Sequence, residues 1–430
     1  MEDSNLVKFF YERVHKVFLV KKEEVSAVLF SFFYNFCLLS SYYILRPFRD
    51  EMGITSGVNN LQWLFTATFF SMLLIVPIYG FTIKKLGRRK FIPYIYYFFI
   101  LNIFLFYILF KFRIEVKILA MVFFVWLSVF NLFVVSVFWS LLADVFSTEQ
   151  AKRLFGIITA GGSAGAITGP AITAFLTQSI GAANLLLLSG LLLLLASVFA
   201  QLLIKWSSFN KNYSVNDVEA INYGNIFSGI TEILKSSYLL KISLLIILYT
   251  AVSTFLYFEQ AHIVEKEISD SSVRTSLFGF IDLATNILAI SSQFFITSRV
   301  IKKYGLALLL AVIPFLVMFG FAGLSLQTIL PVVIITQVIH RAGNFSFQRP
   351  GREILFTTVS YNAKYKAKNF IDTVVYRGGD ALTGWLFTIL LTLQLSLSAI
   401  AFIAVPIAFL WMITGYKLGL SQLVYQKINN

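Results

Sequence analysis

Stretches of about 20 consecutive apolar residues recur along this chain, which is the length a helix needs to cross the roughly 30 Å hydrocarbon core of a bilayer. Hydrophobic residues make up 58% of the 430 positions and charged residues only 13%. That charge is too little to cover the surface of a soluble domain. A membrane β-barrel would instead show alternating segments of about ten residues. The sequence therefore predicts an all-α, polytopic integral membrane protein in a lipid bilayer.

The apolar windows predict about twelve membrane spans. A polar stretch near the middle of the chain divides them into two sets of six. We expect the spans at residues 25–46, 61–83, 91–110, 118–141, 155–178, 183–204, 239–260, 274–298, 306–325, 329–347, 369–392 and 396–416. The predicted domains are an N-terminal amphipathic cytoplasmic segment (1–24), a six-helix bundle (25–205), a cytoplasmic linker (206–237) and a second six-helix bundle (238–430).

The distribution of Lys and Arg predicts the orientation. If both termini are cytoplasmic, most of the basic residues fall on the cytoplasmic side, as the positive-inside rule requires. The formal net charge of +14 then needs no nucleic-acid partner. We expect a multi-pass protein of the inner (cytoplasmic) membrane. Amphipathic patterns at 5–20 and 226–234 predict helices that lie on the membrane surface.

Two pairs of segments indicate an internal duplication. "IKKLGRRK" after the second span is echoed by "IKKYG" after the eighth. "AGGSAGAITG" in the fifth span is echoed by "RGGDALTG" in the eleventh. Two pseudo-symmetric halves around a site near the midplane are typical of secondary transporters. Gly161, Gly165 and Gly169, spaced by four, predict close packing of the fifth span on a neighbouring helix.

The stretch "GFTIKKLGRRK" (80–90) resembles the loop signature of the major facilitator superfamily. The resemblance implies a twelve-helix fold and a conformational loop containing Gly80, Gly87, Arg88 and Arg89. The acidic residue of the family signature is replaced here by Lys84. A basic anchor that only sets the topology would explain the same loop.

A second resemblance is to the non-mitochondrial ATP/ADP translocases, a branch with the same twelve-span plan. It rests on "ILRPFRD" (44–50), "FWSLLADVFSTEQAKRLFG" (138–156) and "NFSFQRPGREILFTTVSYNAKYKAKNFIDTVVYRGGDALTG" (344–384). The resemblance implies exchange of nucleotides between compartments. It places charged residues of the branch's binding site at Arg49, Asp144, Glu259 and Asp380, the last where the branch has a Lys.

The reversal at Asp380 bears on the substrate. A nucleotide carries several negative charges and is bound by an excess of cations, with Arg–phosphate forks in particular. We therefore expect the substrate to be a small polar or anionic metabolite, a class that includes nucleotide-like compounds. Its transport is expected to be coupled to exchange or to protons.

Ionisable residues inside a span cost about 2.5–3.5 kcal/mol to insert and need a partner or a function. Arg341 is the expected anion contact of the second half, or else is tied to a carboxylate on a neighbouring span. Arg377 and Asp380 are spaced to pair on one helix face, or to bind substrate. Glu259 and Asp282 are candidates for proton coupling, the alternative being cross-helix ion pairs.

Four charged residues follow one another closely at the end of the first span: Arg46, Arg49, Asp50 and Glu51. Long charged side chains can anchor a helix end at the interface by snorkelling. Anchoring does not need two anions, so we expect this cluster to lie at the outer mouth of a pathway, where it attracts substrate and exchanges salt bridges on closure.

The sequence shows no set of nucleophile, base and orienting group, no metal-ligand spacing and no ATP-hydrolysis motif. We therefore expect no enzyme activity, no cofactor and no metal. The predicted function is a secondary active transporter that works by alternating access as a monomer. The alternatives are a membrane-embedded enzyme, which would cluster His, Asp or Glu at one membrane face, and a non-transporting membrane protein.

Overall fold

The computed structural model describes residues 20–86, 88–209, 228–359 and 361–429, with backbone only at 76, 79–86, 88–90, 209, 228, 361–365 and 423–429. Within these ranges all regular secondary structure is helical. The all-α prediction is therefore confirmed.

Each predicted span coincides with a helical stretch of the structure, although the spans predicted at 329–347 and 396–416 begin one residue before their helices. Most of these stretches extend beyond the predicted span. The first half contains α1 (Val25–Thr55), α2 (Leu61–Leu86), α3 (Arg88–Lys111), α4 (Val116–Val145), α5 (Thr148–Ile180) and α6 (Ala182–Phe209). The second half contains α7 (Ser228–Lys235), α8 (Ser237–Glu267), α9 (Ser271–Ser292), α10 (Ser298–Leu326), α11 (Leu330–Gly343), α12 (Arg349–Leu355), α13 (Tyr361–Phe370), α14 (Tyr376–Thr392) and α15 (Leu397–Asn429).

In the part of the chain that the structure describes, nine helical stretches are long and apolar enough to cross a membrane. One of them, Ser271–Leu326, contains two predicted spans. They are separated at Gly305, whose φ of +80° breaks the helix within the "IKKYG" loop. Glycine has no Cβ and adopts this left-handed conformation without strain.

The chain forms two compact units whose limits differ from the predicted bundles. The first unit consists of the described parts of Met1–Phe48, Ile78–Ile114 and Leu127–Asn222. The second consists of those of Arg49–Pro77, Glu115–Trp126 and Tyr223–Asn430. The C-terminal end of α1, most of α2 and the N-terminal part of α4 thus belong to the second unit. The bundle limits at 205 and 238 remain a prediction.

In the first unit, α5 packs on α1 through its glycines. A Cβ at Gly165 would lie 2.5 Å from the carbonyl oxygen of Phe36, and one at Gly169 would lie 2.7 Å from that of Ser40. A Cβ at Gly161 would clash with the Phe32 carbonyl. The spacing by four therefore puts two helix backbones in direct contact, as small residues do in membranes.

The second unit repeats this arrangement. The glycines of α14 face α8: a Cβ at Gly379 would clash with Thr250, and one at Gly384 would lie 3.1 Å from the ring of Phe258. The fifth span thus packs on the first, and the eleventh packs on the seventh. An internal duplication would produce this correspondence.

Three π-helical turns interrupt helices of the second unit: π1 (Gln293–Thr297), π2 (Asn344–Gln348) and π3 (Ile371–Val375). The last has a sequence counterpart. The Ala-Lys pair is separated from the Gly-Gly pair by one residue more in the eleventh span (Ala367 to Gly378) than in the fifth (Ala151 to Gly161). The fifth span is α-helical throughout this stretch, whereas the eleventh accommodates its extra residue as π3. Such π-turns are frequent at functional sites.

The linker ends in the short helix α7, which packs against α13. A Cβ at Gly229 would lie 2.6 Å from the Cβ of Phe370. Ile233 is buried, while Leu234 is 67% exposed. The amphipathic helix predicted around this position is therefore present over Ser228–Lys235. The one predicted at 5–20 lies outside the described residues.

Candidate functional site

A buried ion pair joins the end of α1 to the start of α9 in the second unit. The Glu51 side chain is fully buried, and Arg274 donates to it from Nε at 2.6 Å and from Nη2 at 2.8 Å. The remaining nitrogen, Nη1, lies 3.0 Å from the carbonyl oxygen of Ile268 and 3.2 Å from that of Ser269. Such two-pronged contact between guanidinium and carboxylate is among the strongest polar interactions in proteins.

Arg274 is not among the site residues predicted from the sequence. The signal that it begins a helix was available. Asp270 caps α9, and its Oδ1 accepts a hydrogen bond from the backbone N–H of Val273 at 2.8 Å. A capping Asp places the side chains of the first helical turn next to the preceding loop.

Asp50 lies beside this pair, and its partners include Arg49 and Tyr257. Arg49 approaches it at 3.3 Å, and the hydroxyl of Tyr257 lies 3.1 Å from the same carboxylate oxygen. Arg49 also stacks on Phe124, with 3.6 Å between its Cζ and the ring centre. Asp50 and Glu51 are both buried. Both carboxylates are therefore shielded from solvent, and the place of this cluster at the mouth of a pathway remains a prediction.

Arg341 and Asp282 form a second buried ion pair, between α11 and α9. Nη2 of Arg341 donates to Oδ1 of Asp282, whose side chain is fully buried. Of the two alternatives for Arg341, the structure thus shows the tie to a carboxylate on another helix. A role in substrate binding or proton coupling for either residue remains a prediction.

Arg377 and Asp380 pair within α14, as their spacing predicts. Nη1 of Arg377 lies 3.4 Å from Oδ2 of Asp380, and Thr254 of α8 lies 3.3 Å from Oδ1. Asp380 is buried, whereas the Arg377 side chain is 34% exposed. The exposed apolar residues of α14 are Leu382, Leu386 and Ile389.

A helix advances about 100° per residue, so Arg377 projects from the side of α14 opposite those three apolar residues. The exposed part of the Arg377 guanidinium therefore lies on the other side of the helix from these apolar residues. Arg274 and Arg341 also pair with buried carboxylates, but each of their side chains is only 11% exposed.

Glu259 of α8 is fully buried, and neither of its carboxylate oxygens has a hydrogen-bond partner among the described residues. An ionised carboxyl in this environment is costly unless it is paired. The arrangement differs from that of Glu51, Asp282 and Asp380, each of which has an Arg.

Two predicted site residues whose side chains the structure describes belong to the first unit. Arg46 is half-buried, with its Cζ 5.9 Å from the ring centre of Tyr43. Asp144 is half-buried near the end of α4. The side chains of Arg88 and Arg89 and the surroundings of Gly80 and Gly87 lie outside the described part, so the role of that loop remains a prediction. Among the described residues, no group of three or more His, Cys, Asp or Glu is placed to hold a metal ion.

The model of the major facilitator superfamily matches residues 25–363. The chain belongs to the major facilitator superfamily. A match of this extent agrees with the all-helical architecture and the many apolar helices, so the protein is a multi-pass integral membrane protein of a transporter family.

Solved structures of superfamily transporters share the fold at low sequence identity. The POT family transporter PepTSo has a TM-score of 0.64 at 12% identity, over 93% of this chain and 98% of that one. A bacterial homologue of the iron transporter ferroportin, in its inward-facing state, has a TM-score of 0.62 at 13% identity, over 93% and 98%. The nucleoside transporter NupG has 0.58 at 11%, over 94% and 99%. A search of curated proteins finds no match.

Proposed function

We propose that this superfamily member is a secondary active transporter that moves a small polar or anionic metabolite by alternating access, coupled to exchange or to protons. The observation that carries the proposal is Arg377. Its side chain is one-third exposed on the side of α14 opposite the exposed apolar residues. A half-free guanidinium inside a membrane is costly unless it has a ligand, and it binds carboxylates and phosphates in two-pronged fashion.

The charge of the site limits the substrate. Asp380 already offsets one positive charge at Arg377, and Arg49 is offset by Asp50. A ligand with three or four negative charges would need more unpaired cations than these. We therefore favour a metabolite with one or two negative charges. The resemblance to the ATP/ADP translocases keeps nucleotide-like compounds in the class.

In this proposal the ion pair between Glu51 and Arg274 stabilises the closed state of the transporter. Their ion pair is buried when formed, and opening would expose both ions to water, which hydrates them well. The predicted exchange of salt bridges on closure would take place here and at Asp50, with Arg274 and Tyr257 as the partners that the sequence did not reveal.

Glu259 is the preferred group for proton coupling. Asp282 is held by Arg341, whereas Glu259 has no hydrogen-bond partner in the described part of the chain. We propose that Glu259 binds the coupling proton in the closed state and releases it when its surroundings become hydrated.

The test is uptake into proteoliposomes of a panel of labelled nucleotides, smaller organic anions and organic cations, with and without a pH gradient and with or without internal substrate. We expect accumulation of a small anion by the wild type and its loss in Arg377→Gln. Arg299→Gln, an exposed Arg whose Nη1 donates to the carbonyl of its own helix residue Phe295, is the control. Uptake that survives Arg377→Gln unchanged, or accumulation of cations alone, would contradict the proposal.

A further inference from the structure

Pro350 leaves two backbone carbonyls without their usual helical partners. In an α-helix the carbonyl of Ser346 accepts from the N–H of the residue four positions later, which here is Pro350 and has no N–H. In π2 the N–H of Arg349 bonds to the carbonyl of Asn344. The carbonyl of Phe345 is thereby left free as well.

Both carbonyls receive donors from π1, across the helix interface. The hydroxyl oxygen of Thr297 lies 2.9 Å from the carbonyl oxygen of Ser346 and 3.1 Å from that of Ser292 in its own helix, so Ser346 is the nearer acceptor for its single proton. Nε2 of Gln293 lies 3.0 Å from the carbonyl oxygen of Phe345. Thr297 and Ser346 are buried. A buried carbonyl without a donor is costly, so the Thr297 hydroxyl replaces the hydrogen bond that Pro350 removes.

The turn is also held from its other side. Nε2 of Gln348 donates to the carbonyl oxygen of Leu310 on α10 at 2.9 Å, and this bond is buried. With π1 on one side and α10 on the other, π2 has fixed partners for its irregular backbone. Such backbone is tolerated at membrane depth where it is buried in protein.

The π-turn determines which way Arg341 points. One extra residue in a turn rotates the segment before it by about 100° relative to the segment after it. Arg341 lies just before π2, and its partner Asp282 lies on α9, the helix that continues into π1. The ion pair and the contacts between the two π-turns therefore join the same two helices.

We propose that Thr297 is a positioning residue of the transport site. It supplies the donor for the Ser346 carbonyl left free by Pro350, and so fixes the register in which Arg341 meets Asp282. The functional part of this inference rests on the proposed transport function and on the prediction that Arg341 and Asp282 take part in it. The structural part does not.

The test measures register directly. The protein has one cysteine, Cys37, so a Cys37→Ala background accepts a reporter pair, Asp282→Cys with Arg341→Cys. The rate at which a short bifunctional thiol reagent cross-links this pair in the full-length protein reports how the two helices face each other. Uptake is measured in parallel in the otherwise native protein.

We expect Thr297→Val to slow cross-linking and to lower uptake about tenfold, since a buried hydrogen bond is lost. Thr297→Ser keeps the hydroxyl and should behave as the parent. Thr336→Val is the matched control. This buried Thr on α11 donates to the carbonyl of Val332 in its own helix.

Pro350→Ala provides the decisive second variant. It returns an N–H to position 350, so the Ser346 carbonyl no longer needs Thr297. We expect Pro350→Ala to restore cross-linking and uptake in the Thr297→Val protein to within about twofold of the parent. A Thr297→Val protein that cross-links at the parental rate would overturn the inference, as would a defect that Pro350→Ala does not relieve.

The two proposals fail in different ways. If Arg341→Gln leaves uptake intact, the pair has no part in transport, whatever the cross-linking shows. If Arg341→Gln abolishes uptake while Thr297→Val changes neither rate, the pair is functional and Thr297 does not position it.

Discussion

Nε and Nη2 of Arg274 donate hydrogen bonds to the two carboxylate oxygens of Glu51, at 2.6 Å and 2.8 Å, and the Glu51 side chain is fully buried. The two residues are far apart in sequence, at the end of α1 and the start of α9. The third nitrogen of Arg274 bonds to the carbonyls that end α8. One side chain therefore connects the ends of three helices.

Removing one member of this pair should be strongly destabilising. Glu51→Gln leaves the Arg274 charge buried and uncompensated, so we expect a loss of roughly 3–5 kcal/mol in the free energy of unfolding. Thermal unfolding of the purified protein in detergent measures it. Glu149→Gln, at an exposed position, should have little effect. The reversed pair, Glu51→Arg with Arg274→Glu, should recover part of the loss, and an unchanged Glu51→Gln melting curve would contradict the prediction.

A second buried carboxylate, Glu24, should behave similarly in the first unit. It accepts hydrogen bonds from Arg153 at 2.7 Å and 2.9 Å, from Gln150 at 2.9 Å and from the backbone of Lys21 at 3.0 Å. We expect Glu24→Gln to cost about 2 kcal/mol because several charge-assisted hydrogen bonds weaken together. The neighbouring exposed Glu23 provides the control, Glu23→Gln. Equal melting temperatures for the two variants would show that the cluster contributes nothing.

The glycine contact between α5 and α1 predicts opposite effects of one chemical change. Gly165→Ala places a methyl group 2.5 Å from the Phe36 carbonyl oxygen, so we expect a loss of about 1–3 kcal/mol from overpacking. Gly156→Ala on the same helix meets nothing within 4 Å and should stabilise the protein by up to about 1 kcal/mol. Unfolding of the two variants side by side is the measurement. A tolerated Gly165→Ala would mean that the two backbones are free to separate.

Asp380 should limit the charge of the ligand. Asp380→Asn frees the Arg377 guanidinium, and we expect anion affinity to rise about tenfold, as measured by ligand-dependent thermal stabilisation. Asp380→Lys should extend binding to nucleotides that the wild type does not bind. Strong ATP binding or uptake by the wild type would refute this view of Asp380.

Substitution of Glu259 should affect proton-driven uptake and exchange differently. In Glu259→Gln we expect accumulation driven by a pH gradient to be lost, while exchange between internal and external substrate continues, because the neutral side chain mimics the protonated acid. Glu267→Gln at the exposed end of the same helix is the control. Gradient-driven accumulation that persists in Glu259→Gln would assign the coupling proton to another group, and loss of exchange as well would assign Glu259 to substrate binding.

The fold could be predicted from sequence because the thickness of a bilayer sets the length of each membrane-spanning helix. An apolar run that must cross the hydrocarbon leaves a signal that does not depend on which helix it packs against. The Arg377–Asp380 pair was also predictable, since both residues lie on one helix face three positions apart. The glycine spacing of α5 was informative for the same local reason.

Contacts between distant parts of the chain were not predictable. Asp282 has no cation near it in the sequence, and its partner Arg341 lies on another helix. The sequence around Arg274 and Tyr257 carries no pattern that indicates a site, and only the packing of the helices brings them to Glu51 and Asp50. The π-turns left no hydropathy signal, because one extra residue in a helix does not change its apolar character.

The contact between Gly161, Gly165 and Gly169 of α5 and the backbone of α1 has a mechanical consequence. At these glycines the two helix backbones are in direct contact, so little space is left in which one helix could shift without the other. We therefore expect a displacement of α1 near Arg46 to move α5 with it, so that the two helices move as one rigid body.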